Sequence, residues 1–442
     1  MIKEKIFFLK YELIKPGSSQ YYGQLMHDQY LSLDEIEMLN WNRTRSLVQY
    51  AFEHVPYYRK RYTEIGCTPQ DIRNPDDFCR LPVLTRQDLM NNFDDLLSDE
   101  ASLKDVRLST TGGSTGTPAK VYHPKKETRA AHGWRMLNWW NISPADDWAS
   151  VWRDVNKTYK SKFLHFLQWF PTKHILLNAT SFTEQDIKNF LKKFIKVRPK
   201  LLHGYVGTID FLADYIIEHG IQIPPPKAIW LTSAPITTVQ RKKVEAAFHA
   251  PVYDQYGCCE IYWLAAECPM RNGLHMFYDT KRFEFLDENN LPVSNGCYGN
   301  IVLTELQNHL FPLIRYAVGD CGRRLTHNCP CGCNLPLMDS VKGRVSDTFI
   351  LPSHARLNGL TTIFDNCPEA VRQFQLHQQS DASIVIRVVP NNDYPDLDNT
   401  LEKVRTAMEM AVRHEVPVTI TKVSNIPFLK GKLKFVISDY KG

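Results

Sequence analysis

The 442-residue chain has no long apolar run, no dominant charge sign, no internal repeat and no low-complexity tract. Its apolar runs fall far short of the roughly 20 residues that cross a bilayer, so no transmembrane segment is expected. The first fifteen residues, MIKEKIFFLKYELIK, lack both a continuous apolar stretch and a small-residue cleavage site, so they do not read as a secretion signal. With 53 Lys+Arg against 48 Asp+Glu, the net charge of +5 is too weak to mark a nucleic-acid binder. An even disulfide framework is also missing. The cysteines number eleven, and eight of them fall between Cys258 and Cys333. That usage predicts a reducing, cytoplasmic setting and a metal site rather than a secreted scaffold.

What is present is an ordinary globular composition, 43% hydrophobic and 23% charged, with a core that needs no staples. At about 150 residues per domain, the length allows three domains or two unequal ones. Residues 1–15 read as an amphipathic helix packed on its domain. The alternative is a helix lying on a membrane surface, with Lys3, Lys5, Lys10 and Lys15 toward the headgroups. Residues 1–100 read as helical, with helical spacing from Leu33 to Tyr62 and loops at Gly17–Ser19 and around Pro69 and Pro75. From about 100 to 345, strands near Val121, 228–231, 252–253 and 299–303 alternate with helices over 184–196, 207–219 and 237–248. This is an α/β pattern. Beyond Gly343 a strand at 382–389, a helix at 396–414 and strands at 416–420 and 434–437 make a small α+β unit.

Several segments carry chemistry. Ser109–Pro118 (STTGGSTGTP) is too polar and glycine-rich for a core, and its successive N–H groups suit anionic oxygens, yet it is neither Walker A nor a dinucleotide fingerprint. Tyr253–Glu260 (YDQYGCCE) follows an expected strand. In it Tyr256 suits stacking on a base and Glu260 suits Mg²⁺ beside phosphate. In Ile314–Asp320 and Gly343–Asp347, Asp320 and Arg344 suit ribose hydroxyls. Lys430–Phe435 alternates lysine with other residues, as an edge strand does. Cys268 and His275 form a C-x₆-H pair, and Cys329, Cys331 and Cys333 form a second cluster. Together they suit a closed structural zinc site. Six of the nine tryptophans lie between Trp134 and Trp169, as core anchors or as the wall of an acyl pocket.

These segments, with the lead-in Leu81–Arg86, the stretch Phe374–Gln379 and Gly431-Lys432, resemble in register the adenylate-forming superfamily of acyl-activating ligases. Within it the chain is similar to the phenylacetate–CoA ligase branch and its CapK-type capsule-locus relatives. The resemblance implies an α/β fold: a large multi-sheet αβαβα domain over residues 1–345 and a small, mobile α+β lid domain over 346–442. It implies ATP-dependent conversion of a carboxylic acid to an acyl-AMP. Thr110, Thr111, Gly112, Gly113, Ser114, Thr115 and Gly116 would hold the ATP phosphates. Ser233, Ala234, Pro235, Tyr256 and Gly257 would frame the adenine. Asp320 and Arg344 would take the ribose, Glu260 would bind Mg²⁺, and Lys432 would bridge the carboxylate and the α-phosphate. Structural Zn²⁺ would sit on Cys268, His275, Cys329 and Cys331, with Cys333 as a spare thiol or alternative ligand.

The Arg-Gly-x-Asn pattern of the CoA-using relatives is absent from 349–359, which argues for an amine or hydroxyl acceptor in glycan or natural-product assembly. Thioester formation with CoA is the runner-up, and a catalytically dead zinc-containing binding protein is the third reading.

Overall fold

A proline shapes the first feature of the computed structural model. The helical run from Leu33 to Tyr62 is two helices, α3 (Leu33–His54) and α4 (Pro56–Glu64). Pro56 has no N–H to continue the first helix, so it opens the second at its N1 position. The model describes residues 2–110, 119–126, 128–152, 165–167, 169–179, 182–341, 349–357, 363–426 and 435–440. The connection from α1 (Ile2–Ile14) to α2 (Ser18–Asp28) is residues 15–17, so of the expected Gly17–Ser19 loop only Gly17, at φ +85°, lies outside a helix. Pro69 and Pro75 likewise open short helical turns rather than loops.

Two compact units share the chain. One comprises 1–7, 141–254 and 342–442; the other comprises 8–140 and 255–341. In the first, strands β3 (Trp148–Trp152), β4 (His174–Asn178), β5 (Leu201–Tyr205), β6 (Ala228–Thr232) and β7 (Val252–Tyr256) pair in parallel in the order β4-β3-β5-β6-β7. Every residue of β6 is buried, as expected for a central strand covered on both faces. Helices α8 (Glu184–Val197), α9 (Val206–Glu218) and α10 (Thr238–Phe248) supply that cover, with Phe190, Phe194, Ile209, Leu212, Val244 and Phe248 in one apolar core. These helices match their expected bounds to within a residue or two, because burial needs the same 3.6-residue period that the sequence displays.

The C-terminal residues of this unit build a separate sheet. Its strands β16 (Val371–Gln378), β17 (Ile384–Pro390), β18 (Val418–Lys422) and β19 (Val436–Ser438) lie in the order β18-β17-β16-β19 and pack with α11 (Leu397–Ala411). A short hairpin, β14 (Phe349–Ile350) with β15 (Arg356–Leu357), precedes it. Val239 of α10 is buried in the same apolar cluster. Thr238 donates to Asp365 at 2.7 Å, and Lys243 pairs with Asp210 at 2.8 Å and donates to the Arg372 carbonyl at 3.1 Å.

In the second unit the short helices α5 (Pro75–Phe78) and α6 (Arg86–Asn91) precede a hairpin of β1 (Val106–Thr110) and β2 (Lys120–Pro124), and α7 (Ala130–Trp139) follows it. Strands β8 (Ala265–Glu267), β9 (Leu274–Met276) and β13 (Leu337–Met338) pair antiparallel. A further sheet runs β10 (Lys281–Leu286), β11 (Gly299–Glu305), β12 (Tyr316–Gly322). The buried pair Arg135–Asp279, at 2.6 Å and with both side chains fully enclosed, ties α7 to the turn before β10. Among the described residues no helix is long and apolar enough to cross a membrane.

Candidate functional site

The site of the second unit grows from the end of β7. Tyr256 pairs with Ala265 of β8, so residues 257–264 must return within a few steps. The Cys258 N–H bonds to the Ile261 carbonyl at 3.3 Å, and the Leu264 N–H bonds to the Tyr256 carbonyl at 3.1 Å. This tight loop carries Glu260 at its tip. The Glu260 Oε1 lies 3.4 Å from Nη1 of Arg86, at the start of α6, and 3.2 Å from the Tyr316 hydroxyl, at the start of β12. The bridge between Leu84 and Tyr316 brings the Leu81–Arg86 segment alongside that strand.

Asp320 reaches the same place through a bulge. Between paired positions β12 takes four residue steps, Ala317 to Cys321, where β11 takes two, Val302 to Asn300. Gly319 absorbs the extra chain at φ +83°, a conformation that costs glycine nothing. The Tyr256 hydroxyl donates to Asp320 Oδ2 at 2.8 Å. Burial, and then the Asp320 charge, push the Tyr256 hydroxyl well above its usual range, so it remains a donor. Burial and the Glu260 carboxylate do the same for Tyr316.

The β1–β2 hairpin is fastened to this loop. Its register closes at Thr110 opposite Lys120. His123 of β2 donates from Nε2 to the Cys259 carbonyl at 3.0 Å, and Ser109 lies 3.1 Å from the Tyr262 hydroxyl. Arg129 covers the Tyr262 ring at 4.4 Å. Burial lowers His123 to about 4 against the opposing pull of the Cys259 carbonyl bond, so the imidazole is neutral near pH 7.

Of the residues singled out in the sequence, Tyr256, Glu260, Asp320 and Thr110 therefore belong to this unit, together with Gly257. Ser233, Ala234 and Pro235 belong to the first unit, just past the carboxyl end of β6, and Ser233 holds φ +73° there. Strained backbone of that kind in a non-glycine residue is typical of ligand loops. Thr111, Gly112, Gly113, Ser114, Thr115, Gly116, Arg344 and Lys432 lie outside the described residues.

The Cys/His residues also converge. Donor atoms of Cys268, His275, Cys329 and Cys331 lie within 4.8 Å of one another. Cys268 and Cys329 sulfurs are 3.5 Å apart, and Cys331 Sγ is 3.3 Å from His275 Nε2. His275 sits on β9, and its Nδ1 donates to the Leu335 carbonyl at 3.0 Å, which leaves Nε2 as the lone-pair nitrogen facing the sulfurs. Burial lowers His275 to about 4, the neutral form that a metal needs. Gly273 enables the turn into β9: its φ is +123°, and a Cβ there would meet Leu325 Cδ1 at 2.7 Å. Cys333 stands outside the four. Its backbone N–H donates to Cys331 Sγ at 3.4 Å, so it supports that sulfur. Two soft sulfurs at one end and a sulfur with an imidazole nitrogen at the other fit a tetrahedral Zn²⁺.

A family model described as the CapK C-terminal domain matches residues 353–439. The chain is 23% identical over 429 residues to a phenylacetate-coenzyme A ligase of Thermus thermophilus, covering 90% of this chain and 94% of that protein. It is 23% identical over 401 residues to protein CapK of Staphylococcus aureus, covering 82% and 80%. A 2-hydroxyisobutyryl-CoA ligase in the postadenylation state shares the fold, with a TM-score of 0.75 at 19% identity over 93% of this chain and 91% of that one. The chain is similar to the adenylate-forming ligases, in the branch of the phenylacetate–CoA ligases and CapK.

The sequence left Arg86 and Tyr316 without roles, although both lie in segments it singled out. His123 and Tyr262 carry no local signal, because their importance comes from partners far along the chain. The tryptophans divide. Trp134 packs edge-on against Phe8 and Tyr11, and the Trp140 indole donates to the Glu267 carbonyl at 2.9 Å, so both are core. In the first unit Trp152 stacks on Tyr205 at 4.0 Å and on His203 at 4.7 Å, at the carboxyl ends of β3 and β5, where open α/β sheets bind ligands.

Proposed function

We propose that this ligase condenses a carboxylic acid with ATP to give an acyl-AMP and pyrophosphate, then passes the acyl group to an amine or hydroxyl acceptor in glycan or natural-product assembly. The observation that carries this reading is the convergence of Tyr256, Asp320 and Glu260 on one loop fastened to the stem of the Ser/Gly hairpin. In the first step a carboxylate oxygen attacks the α-phosphorus, and the bond to the bridging oxygen of the leaving pyrophosphate breaks. Anions are brought together, so positive charge and N–H donors must face them.

Asp320, oriented by Tyr256, accepts from the ribose hydroxyls. Ser233–Pro235 and Gly257 frame the adenine, while Thr110–Gly116 cradle the outer phosphates. Glu260 would hold Mg²⁺, whose charge offsets that of the phosphates. Arg86 and the Tyr316 hydroxyl both reach Glu260 at Oε1. Arg344 joins the ribose site, and Lys432 is carried to the α-phosphate by movement of a small domain over 346–442, with 1–345 as the large domain. Trp152, His203 and Tyr205 present an aromatic surface to the acyl group. Zn²⁺ on Cys268, His275, Cys329 and Cys331 holds two loops together and takes no part in chemistry, since four protein ligands close its shell. CoA as acceptor is the second reading, favoured by the names of the relatives.

The test is pyrophosphate release across a panel of carboxylic acids, with and without CoA. Turnover with an acid alone supports adenylation, and stimulation by CoA alone selects the thioester ligase. Silence with every acid, in protein that binds ATP, would leave a binding module. Glu260→Gln should lower the rate about 10²–10³-fold, the usual loss for one transition-state stabiliser.

A further inference from the structure

Helix α1 is apolar on two sides, and the protein covers only one. The inner side is packed: Phe7 is buried, and the rings of Phe8 and Tyr11 lie 5.3 and 4.7 Å from Trp134. The outer side carries Ile2, Ile6, Leu9 and Leu13, spaced at i, i+4, i+7 and i+11, which is one stripe of an α-helix. Their exposures are 77%, 39%, 66% and 77%, and the adjoining Ile14 is 59% exposed. A stripe of this kind is what a helix normally buries, and among the described residues it stays exposed, the mark of an interaction surface.

The charge around the stripe indicates the partner. At the carboxyl end of α1 the Lys15 ammonium bonds to the Lys125 carbonyl, and the Lys125 ammonium bonds to the Lys104 carbonyl at 2.8 Å. Three chain segments thus bring Lys15, Lys104, Lys125 and the adjacent Lys126 together, with Leu103 also 65% exposed. Lys5 lies exposed on the stripe's own side of the helix. A second copy of the chain would set these lysines against their equivalents, and five apolar residues are few beside the roughly 20–30 a side of a stable protein interface. An anionic lipid surface instead complements both features.

We propose that the outer face of α1 is a docking surface for an anionic phospholipid bilayer. Leu9, Leu13 and Ile14 enter the headgroup–acyl boundary, and Lys15, Lys125 and Lys126 meet the phosphates. The helix lies in the plane of the interface and does not span it. This assignment is independent of the acceptor chemistry above.

The test is flotation of the full-length protein with vesicles of equimolar phosphatidylglycerol and phosphatidylcholine, against phosphatidylcholine alone. The wild type should float with the anionic vesicles and release in high salt. Leu9→Glu with Leu13→Glu should lower the partition at least about tenfold. Lys125→Glu with Lys126→Glu should do so by about tenfold while keeping any weak binding to neutral vesicles. Both variants should retain the wild-type melting temperature, because the residues are exposed. Equal recovery of wild type and Leu9→Glu/Leu13→Glu with anionic vesicles would overturn the proposal. So would a dimer that the leucine variant dissociates, found in protein that ignores vesicles.

Discussion

Replacing Cys331 by alanine removes one corner of the Cys/His cluster, and its consequences follow from the geometry. In a tetrahedron with Zn–S arms of about 2.3 Å and a Zn–N arm of about 2.0 Å, sulfurs sit about 3.8 Å apart and sulfur and nitrogen about 3.5 Å apart. The observed Cys268–Cys329 and Cys331–His275 separations are 3.5 and 3.3 Å. Those two edges of the tetrahedron are thus met to within a few tenths of an ångström, and all four donor atoms lie within 4.8 Å of one another. Structural zinc contributes an apparent 10–16 kcal/mol in small finger peptides, where binding is folding. Here the pairing of β8, β9 and β13 also holds these loops, so only the local part is at stake. A loss of about 3 kcal/mol, at about 2–4 °C per kcal/mol for a sizeable domain, gives a fall of about 6–12 °C in Tm. The assay is elemental analysis of protein purified without chelator, paired with a thermal melt. Wild type should carry about one equivalent of zinc and Cys331→Ala well under half. Wild type with under half an equivalent, or a variant with wild-type zinc and Tm, would refute the four-ligand reasoning. Cys333→Ala is the internal control and should keep its zinc.

Tyr256→Phe removes the donor to Asp320. A hydrogen bond to a carboxylate is worth about 1.5–3 kcal/mol, so KM for ATP should rise about 10–100-fold in the pyrophosphate assay while the fold stays intact. Arg86→Met strips the cation beside Glu260, and the Mg²⁺ concentration giving half-maximal rate should change with it. An unchanged Mg²⁺ dependence would dissociate Glu260 from the metal. Asp210 supplies a pH prediction. Burial pushes its carboxyl up to about 6, countered in part by Lys243, whereas an unfolded aspartate titrates near about 4. Between those values the folded chain holds a proton that the unfolded chain lacks. This contribution is full below about pH 4 and is lost as pH rises through about 6. Asp210→Asn should remove that component from the plot of Tm against pH.

The periodic helices and the strand and helix content of the C-terminal residues were legible in the chain itself, because apolar spacing and turn residues act locally. So were the segments Ser109–Pro118, Tyr253–Glu260 and Ile314–Asp320, whose glycine, hydroxyl and carboxylate content suits no core. The Cys/His set was legible for the same reason: metal-type residues in tight pairs announce themselves. The resemblance to the adenylate-forming ligases assigned a role to each.

Tertiary structure alone decided the rest. The break at Pro56 shows that helical spacing continues through a residue that starts a new helix. The bulge at Gly319 aims Asp320 at Tyr256, and strand pairing cannot be read from one strand. Arg86, His123 and Tyr316 acquire their partners across 136 to 174 residues for the first two and 56 for the last. Local sequence determines what an element is, whereas which charges meet depends on packing, which sums weak contacts over the whole chain. The outer stripe of α1 makes the same point. The sequence recorded its apolar residues, but only the fold showed which of its two faces had been left uncovered.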